Sequence, residues 1–270
     1  MPPDRPVSSG CALVTGASSG IGAAIAREYA RRGVPLALTA RRTDRLQALA
    51  DELRPRVEVA VFPEDLSDPA GPERLVEAIR ARGLVVSHLV NNAGYGIPGR
   101  YLSRDWTVHA AFLQVLVASV AELTWRLLPD MEARGHGRIL NVASLAALVP
   151  SSAGHTLYAA SKAFVIRFSE ALAQEERARG VHVTALCPGM TWTEFHDVNG
   201  MRSRVSKLPR WLWLDAATVA RLGVDAVERG DARCVTGGAN RVLAGLSKYL
   251  PERIARALVE GRSKDFRDAD

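Results

Sequence analysis

Short apolar runs alternate along this chain with longer stretches whose apolar residues recur every three or four positions. The second spacing gives a helix one apolar face. A continuous apolar run of about four to eight residues suits a strand covered on both sides. Cys11–Thr15 reads as the first strand, followed by a helix from about Gly20 to Arg32. Leu36–Ala40 predicts the second strand, and Thr43–Leu53 a helix with Leu46, Leu49 and Leu53 on one face. Val57–Phe62 predicts a third strand, Pro69–Ala81 its helix, and Leu89–Asn91 a fourth strand. Two long helices, about Asp105–Arg134 and Tyr158–Arg179, flank a fifth strand at Arg138–Ala143, and strands at His182–Leu186 and Arg233–Thr236 close the set. Such alternation builds βαβ units, so the expected class is α/β, a doubly wound parallel sheet with helices on both faces. No internal repeat, low-complexity tract or linker interrupts it, and one domain over residues 1–270 is expected.

Composition narrows the class. The chain has 270 residues, 47% hydrophobic and 24% charged, which is ordinary for a soluble globular domain with a sizeable core. Its longest apolar stretch, around Ala110 to Leu123, is interrupted by Gln114 and Glu122 and reads as too short and too polar to cross a membrane. The opening Met1-Pro-Pro-Asp-Arg-Pro6 lacks the apolar core of a signal peptide. Cys11, Cys187 and Cys234 sit in apolar runs without metal-ligand spacing, so reduced cysteines in a cytoplasmic protein, and no metal, are expected. The net charge is +6, but the basic residues are scattered and not interleaved with aromatics. That fits a solvated basic surface and gives no reason to expect a nucleic-acid partner.

Chemistry concentrates in a few places. The first strand runs into Thr15-Gly-Ala-Ser-Ser-Gly-Ile-Gly22 and then directly into a helix. Glycines at 16, 20 and 22 let the backbone turn sharply and approach a pyrophosphate, which would rest on the free N–H groups around Ser18, Ser19, Gly20 and Ile21. At the end of the second strand, where an acid would bond a ribose 2′-hydroxyl, the chain has Ala40-Arg41-Arg42. Arg41 and Arg42 can instead grip a 2′-phosphate, which makes NADP(H) the expected cofactor. Tyr158 and Lys162, spaced i and i+4, share one helix face. An ammonium beside the phenol is expected to lower its pKa from about 10 and make it a proton donor near neutral pH.

Taken together, these residues resemble the short-chain dehydrogenase/reductase family, in its single-domain form built on a Rossmann sheet. The resemblance runs from residue 8 to about residue 195. It implies that Asp65 and Leu66 line an adenine pocket, and that Asn92, Ala93 and Gly94 of Asn91-Asn-Ala-Gly94 pass the adenosine ribose. It also implies that Pro188, Gly189, Thr191 and Thr193 flank the nicotinamide end, with Thr193 bonding the carboxamide. Ser144, Tyr158 and Lys162 match the catalytic residues, Tyr158 and Lys162 also being cofactor-binding positions. The implied reaction is hydride transfer between NADPH and a carbonyl, with Ser144 holding the oxygen, Tyr158 protonating it, and Lys162 tuning Tyr158 and binding ribose hydroxyls.

The pattern departs from the family at one place. The asparagine that completes the family's catalytic tetrad is replaced by Leu116, while Gln114, two positions earlier, should face elsewhere. A working triad with a weakened proton relay is expected; the alternative is an NADP(H)-binding protein with little turnover. The loop from Ser144 to Tyr158 is about one residue longer than usual and holds His155. Residues 190–215 should form a substrate lid, with Phe195, Met201, Trp211 and Trp213 as an apolar wall, favouring an apolar ketone, aldehyde or secondary alcohol. Packing of those tryptophans in the lid or a subunit contact is the plainer reading. The segment 240–270 is amphipathic in pieces, through Val242, Leu243, Leu246, Tyr249 and Leu250, then Ile254, Ala257 and Leu258. It could cover a neighbouring subunit or make weak membrane-surface contact, which would suit a peripheral lipid-directed reductase. The two long helices that pair subunits in many relatives make a homodimer or homotetramer the default.

Overall fold

The computed structural model describes residues 10–151, 153–154, 156–194 and 210–249. Seven parallel strands form the central sheet in the order β3-β2-β1-β4-β5-β6-β9. They are β1 Cys11–Thr15, β2 Leu36–Thr39, β3 Val59–Val61, β4 Val86–Asn91, β5 Gly137–Val142, β6 Val181–Cys187 and β9 Arg233–Val235. The expected doubly wound, Rossmann-type sheet is therefore present. Side chains alternate between its faces. Ala12 and Val14 pack with the helices α1 (Gly20–Arg31), α2 (Thr43–Leu53) and α7 (Ala216–Arg229). Cys11 and Leu13 face the other layer, made by α3 (Gly71–Ala81), α4 (Trp106–Leu113), α5 (Ser119–Ala133) and α6 (Thr156–Glu176). Burial on both faces explains why the strands read as unbroken apolar runs.

Strand order reverses between β1 and β4, so the chain leaves these two strands in opposite directions and opens a crevice at their carboxyl ends. Thr15 secures that edge. Its hydroxyl donates to Val90 O at 3.1 Å and accepts from Asn92 N at 2.9 Å and Ala93 N at 3.0 Å.

Several expectations need correction. β4 begins at Val86 rather than Leu89, because Ser87 and His88 are buried despite their polarity. The Ser87 hydroxyl and the His88 ring satisfy each other at 2.8 Å. β3 is shorter than predicted and α3 begins at Gly71. The first long helix is interrupted by a π-helical turn over Gln114–Ala118, in which Ser119 N reaches back five residues to Gln114 O. Trp106–Ala133 as a whole is long and apolar enough to cross a membrane by length and composition, contrary to the expectation that this stretch is too short. Here it is a wall of the core, with Phe112, Leu116, Leu123, Leu127 and Met131 fully buried against the sheet layer.

Among the described residues, two strands and two α-helices had no counterpart among the elements read from the sequence. β7 Met190–Trp192 and β8 Trp213–Asp215 form a separate parallel pair. Asp215 then caps α7, its carboxylate accepting from Thr218 N at 2.7 Å. The last described helix is α8, Gly238–Tyr249, with Val242, Leu243 and Leu246 exposed. Trp213 lies in β8, buried and stacked on Trp192 with ring centroids 4.1 Å apart. Trp211 is exposed. His155, Phe195, Met201 and residues 250–270 lie outside the described residues.

Candidate active site

The glycine loop is shaped by contacts that leave no room for side chains. A Cβ on Gly16, whose φ is +64°, would come within 2.8 Å of Ala93 Cα, and one on Gly22 would meet Asn92 Nδ2 at 2.4 Å. Asn92 is there because its amide donates to Thr15 O at 2.9 Å and Gly16 O at 3.2 Å, bracing the loop from β4. Ser19 stands at the N-cap of α1, yet its side chain makes no capping bond. Its hydroxyl accepts instead from Arg42 Nη2 at 2.8 Å, and Ser18 accepts from the same nitrogen at 3.0 Å. The first N–H groups of α1, around Gly20, Ile21 and Gly22, thus face the crevice at the positive end of the helix dipole. This cradle fits the pyrophosphate of a dinucleotide.

Arg42 is half-buried against the two serines, and Arg41 is exposed. Arg41 acts near Tyr95, whose phenol pKa is raised by burial, with the Arg41 charge opposing and the Asp65 charge reinforcing that rise. Arg41, Tyr95 and Asp65 therefore border one region. The Asp65 carboxylate accepts from Ser67 N at 2.9 Å and from its hydroxyl at 2.8 Å, ordering the turn that carries buried Leu66. Tyr95 was missed in the sequence; adjacency to Gly94 was its only signal.

Ser144 follows β5, and Tyr158 and Lys162 lie on α6. The Ser144 hydroxyl lies close enough to the Tyr158 phenol to favour its ionised form. Ser144 Oγ also accepts from Ala146 N at 3.1 Å. Lys162 is buried, and its ammonium donates to Val142 O at 2.7 Å. Burial pulls its pKa down to about 8, with the Cys187 thiol opposing. Tyr158 departs from expectation. Burial raises its pKa, opposed by the Ser144 hydroxyl, rather than Lys162 lowering it. The reason is direction: the ammonium points to the β5 carbonyl and sits 6.0 Å from the phenol ring centroid.

Leu116 lies beside Gly94 and the Lys162 ammonium. A Cβ on Gly94 would lie 3.7 Å from Leu116 Cγ and Cδ1 and 3.8 Å from Lys162 Nζ, so the three share one small space. Gln114 faces elsewhere, its amide on Ser119 Oγ at 3.3 Å. Beneath the site runs a buried chain of hydrogen bonds. Asn91 Nδ2 donates to Thr124 Oγ1 at 3.3 Å and to Asn141 Oδ1 at 2.8 Å, and Asn141 Nδ2 donates to Ser169 Oγ at 2.9 Å. It pins β4 and β5 to α5 and α6, and so fixes Ser144 relative to Tyr158.

The remaining expected positions line the far side. Pro188 O accepts from Leu145 N at 2.8 Å, joining the β6 exit to the loop after Ser144. Gly189 is required because a Cβ would strike Asn240 Nδ2 at 2.2 Å. Thr191 is buried, its hydroxyl on Gly189 O at 3.1 Å, whereas Thr193 lies over the glycine loop, 3.3 Å from where a Gly20 Cβ would stand.

A family model described as short chain dehydrogenase matches residues 10–201. The chain belongs to this family. Its members are oxidoreductases that bind nicotinamide cofactors. Nodulation protein G of Rhizobium sp. (strain N33) is 41% identical over 189 residues, covering 69% of this chain and 75% of that protein. A short-chain dehydrogenase from Sphingobium yanoikuyae, solved in complex with NADPH, matches with a TM-score of 0.78 and 29% identity over 97% of both chains. The bulky-bulky ketone specific alcohol dehydrogenase from Comamonas testosteroni matches with a TM-score of 0.72 and 26% identity, covering 97% of this chain and 96% of that one.

Proposed function

We propose that this short-chain dehydrogenase is an NADP(H)-dependent oxidoreductase that interconverts a carbonyl and a secondary alcohol on an apolar substrate. The observation that carries the reading is buried Lys162, held on Val142 O one helical turn from Tyr158 and against Gly94, with Ser144 acting on the Tyr158 phenol. Bound NADP(H) supplies or accepts the hydride. Ser144 holds the substrate oxygen, and Tyr158 delivers a proton to it as negative charge develops there. A Tyr158 pKa raised by burial keeps the phenol protonated at neutral pH, the form needed for reduction. Lys162 sets a positive charge behind the pair and would hold the ribose hydroxyls of a bound cofactor.

Preference for NADP(H) is supported by Arg42 on Ser18 and Ser19, by the Arg41 charge near Tyr95, and by the NADPH complex of the Sphingobium relative. An apolar substrate is supported by the uncharged run Leu145-Ala-Ala-Leu-Val-Pro150 that follows Ser144, and by Trp192 beside Thr193. The Comamonas relative, specific for bulky-bulky ketones, points the same way.

The test is Tyr158→Phe, assayed for NADPH oxidation against a panel of apolar ketones and for NADPH binding by nicotinamide fluorescence. Turnover should disappear while affinity changes less than about twofold, because the ring stays and only the proton donor goes. Turnover persisting within tenfold of wild type would assign the proton to another group.

A further inference from the structure

The chain beyond β7 makes a connection that the proposed reaction does not use. Glu194, directly after Thr193, receives both Oε contacts from Arg45 Nη1, at 2.7 and 2.6 Å, and a longer one from Arg42 Nη1 at 3.5 Å. Arg42 precedes α2 and Arg45 lies in its first turn, so both belong to the end of β2. Glu194 follows β6 by seven residues. In the sheet, β2 and β6 are separated by β1, β4 and β5. Four strand spacings come to about 19 Å. To bring Glu194 to Arg45, the chain must cross the carboxyl edge above the β1/β4 reversal, over the cradle at the start of α1. Thr193 marks the crossing, packed against Gly20. The ion pair thus closes a bridge over the groove in which a dinucleotide would lie.

We propose that Glu194 and Arg45 form a tie across the cofactor groove that must open for nicotinamide dinucleotides to leave, making Glu194 a determinant of cofactor release. The proposal rests on the NADP(H)-binding reading above. The tie depends mainly on Arg45, so a 2′-phosphate engaging Arg42 leaves it closed, and it slows release of NADPH and NADH alike. All three side chains are 40–45% exposed. An ion pair this exposed can change a rate by about two- to fivefold.

The experiment is stopped-flow release of NADPH and, separately, NADH, chased with excess oxidised nucleotide and followed by nicotinamide fluorescence. Glu194→Gln and Arg45→Ala should each speed release of both nucleotides about two- to fivefold, and the double variant should be no faster than either. The gap to wild type should close in about 1 M salt, where the screening length falls to about 3 Å. A combined Glu194→Arg and Arg45→Glu exchange should restore slow release, which separates a tie from a local folding defect. Unchanged release in both single variants overturns the proposal. So does a change confined to NADPH, which would make Glu194 a competitor for the 2′-phosphate. Failure of the wild type to bind either nucleotide would remove the NADP(H) reading itself and the tie with it.

Discussion

Replacing Leu116 by asparagine tests whether a polar side chain beside Lys162 changes proton delivery in this site. Leu116 is 1% exposed and packs in the core layer made by α3 to α6, sharing its space with Gly94 and Lys162 Nζ. An asparagine there gives up apolar burial and sinks an amide. An unpartnered amide costs about 1–3 kcal/mol, and the lost apolar contact adds roughly 1–2 kcal/mol. At about 2–4 °C per kcal/mol, the magnitude for chains of about 150–250 residues, Tm should fall by about 4–20 °C. The lower end applies if the new amide oxygen finds the Lys162 ammonium.

Kinetics separate the two cases. A new acceptor near Lys162 favours its charged form, so the activity limb governed by a group near pH 8 should move to higher pH. The rate itself should change by no more than about tenfold, roughly 1.4 kcal/mol of barrier, because Ser144, Tyr158 and Lys162 are already assembled. The assay is kcat for one apolar ketone against pH, with both proteins and saturating NADPH, alongside thermal unfolding. A several-hundredfold gain in Leu116→Asn would refute the reasoning. It would mean the wild-type protein binds cofactor but is silenced by its leucine.

Two further outcomes follow from charge placement. Arg42→Ala should weaken NADPH binding by tenfold or more while NADH changes less than about threefold, since its guanidinium is the one held on Ser18 and Ser19; equal losses for both nucleotides would move the 2′-phosphate site elsewhere. Glu176, buried at the end of α6, has its pKa raised by burial and by a hydrogen bond with Glu132. A raised carboxyl pKa contributes stability that is present below the unfolded value, about 4.3, and lost as pH rises through the folded one. Glu176→Gln should therefore raise Tm at pH 7 and lose that advantage near pH 4, and a variant less stable than wild type at pH 7 would contradict it.

The sequence was most readable where local rules decide the outcome. Strands buried on both faces announce themselves as apolar runs, and the glycine positions follow from backbone crowding that Gly16 and Gly22 show at 2.4–2.8 Å. The start of β4 was hidden because Ser87 and His88 hide their polarity in each other. The π-helical turn at Gln114–Ala118 was hidden too, since an extra residue in a turn leaves no mark in an apolar stretch. Arg45 and Glu194, 149 positions apart, carry no local sign of their pairing.

The chemistry of the site follows the same division. Spacing of i and i+4 put Tyr158 and Lys162 on one face, and they are on one face. That rule fixes where side chains start, not where their charged ends point. Lys162 ends on a carbonyl of β5, twenty positions earlier in the chain, and the Tyr158 phenol feels Ser144 from the loop beyond that strand. Both ends are set by how far β5 advances relative to α6, and the Asn141–Ser169 bond helps to hold that offset. The proton affinity of the pair is thus a property of strand–helix register, and no motif within α6 could have disclosed it.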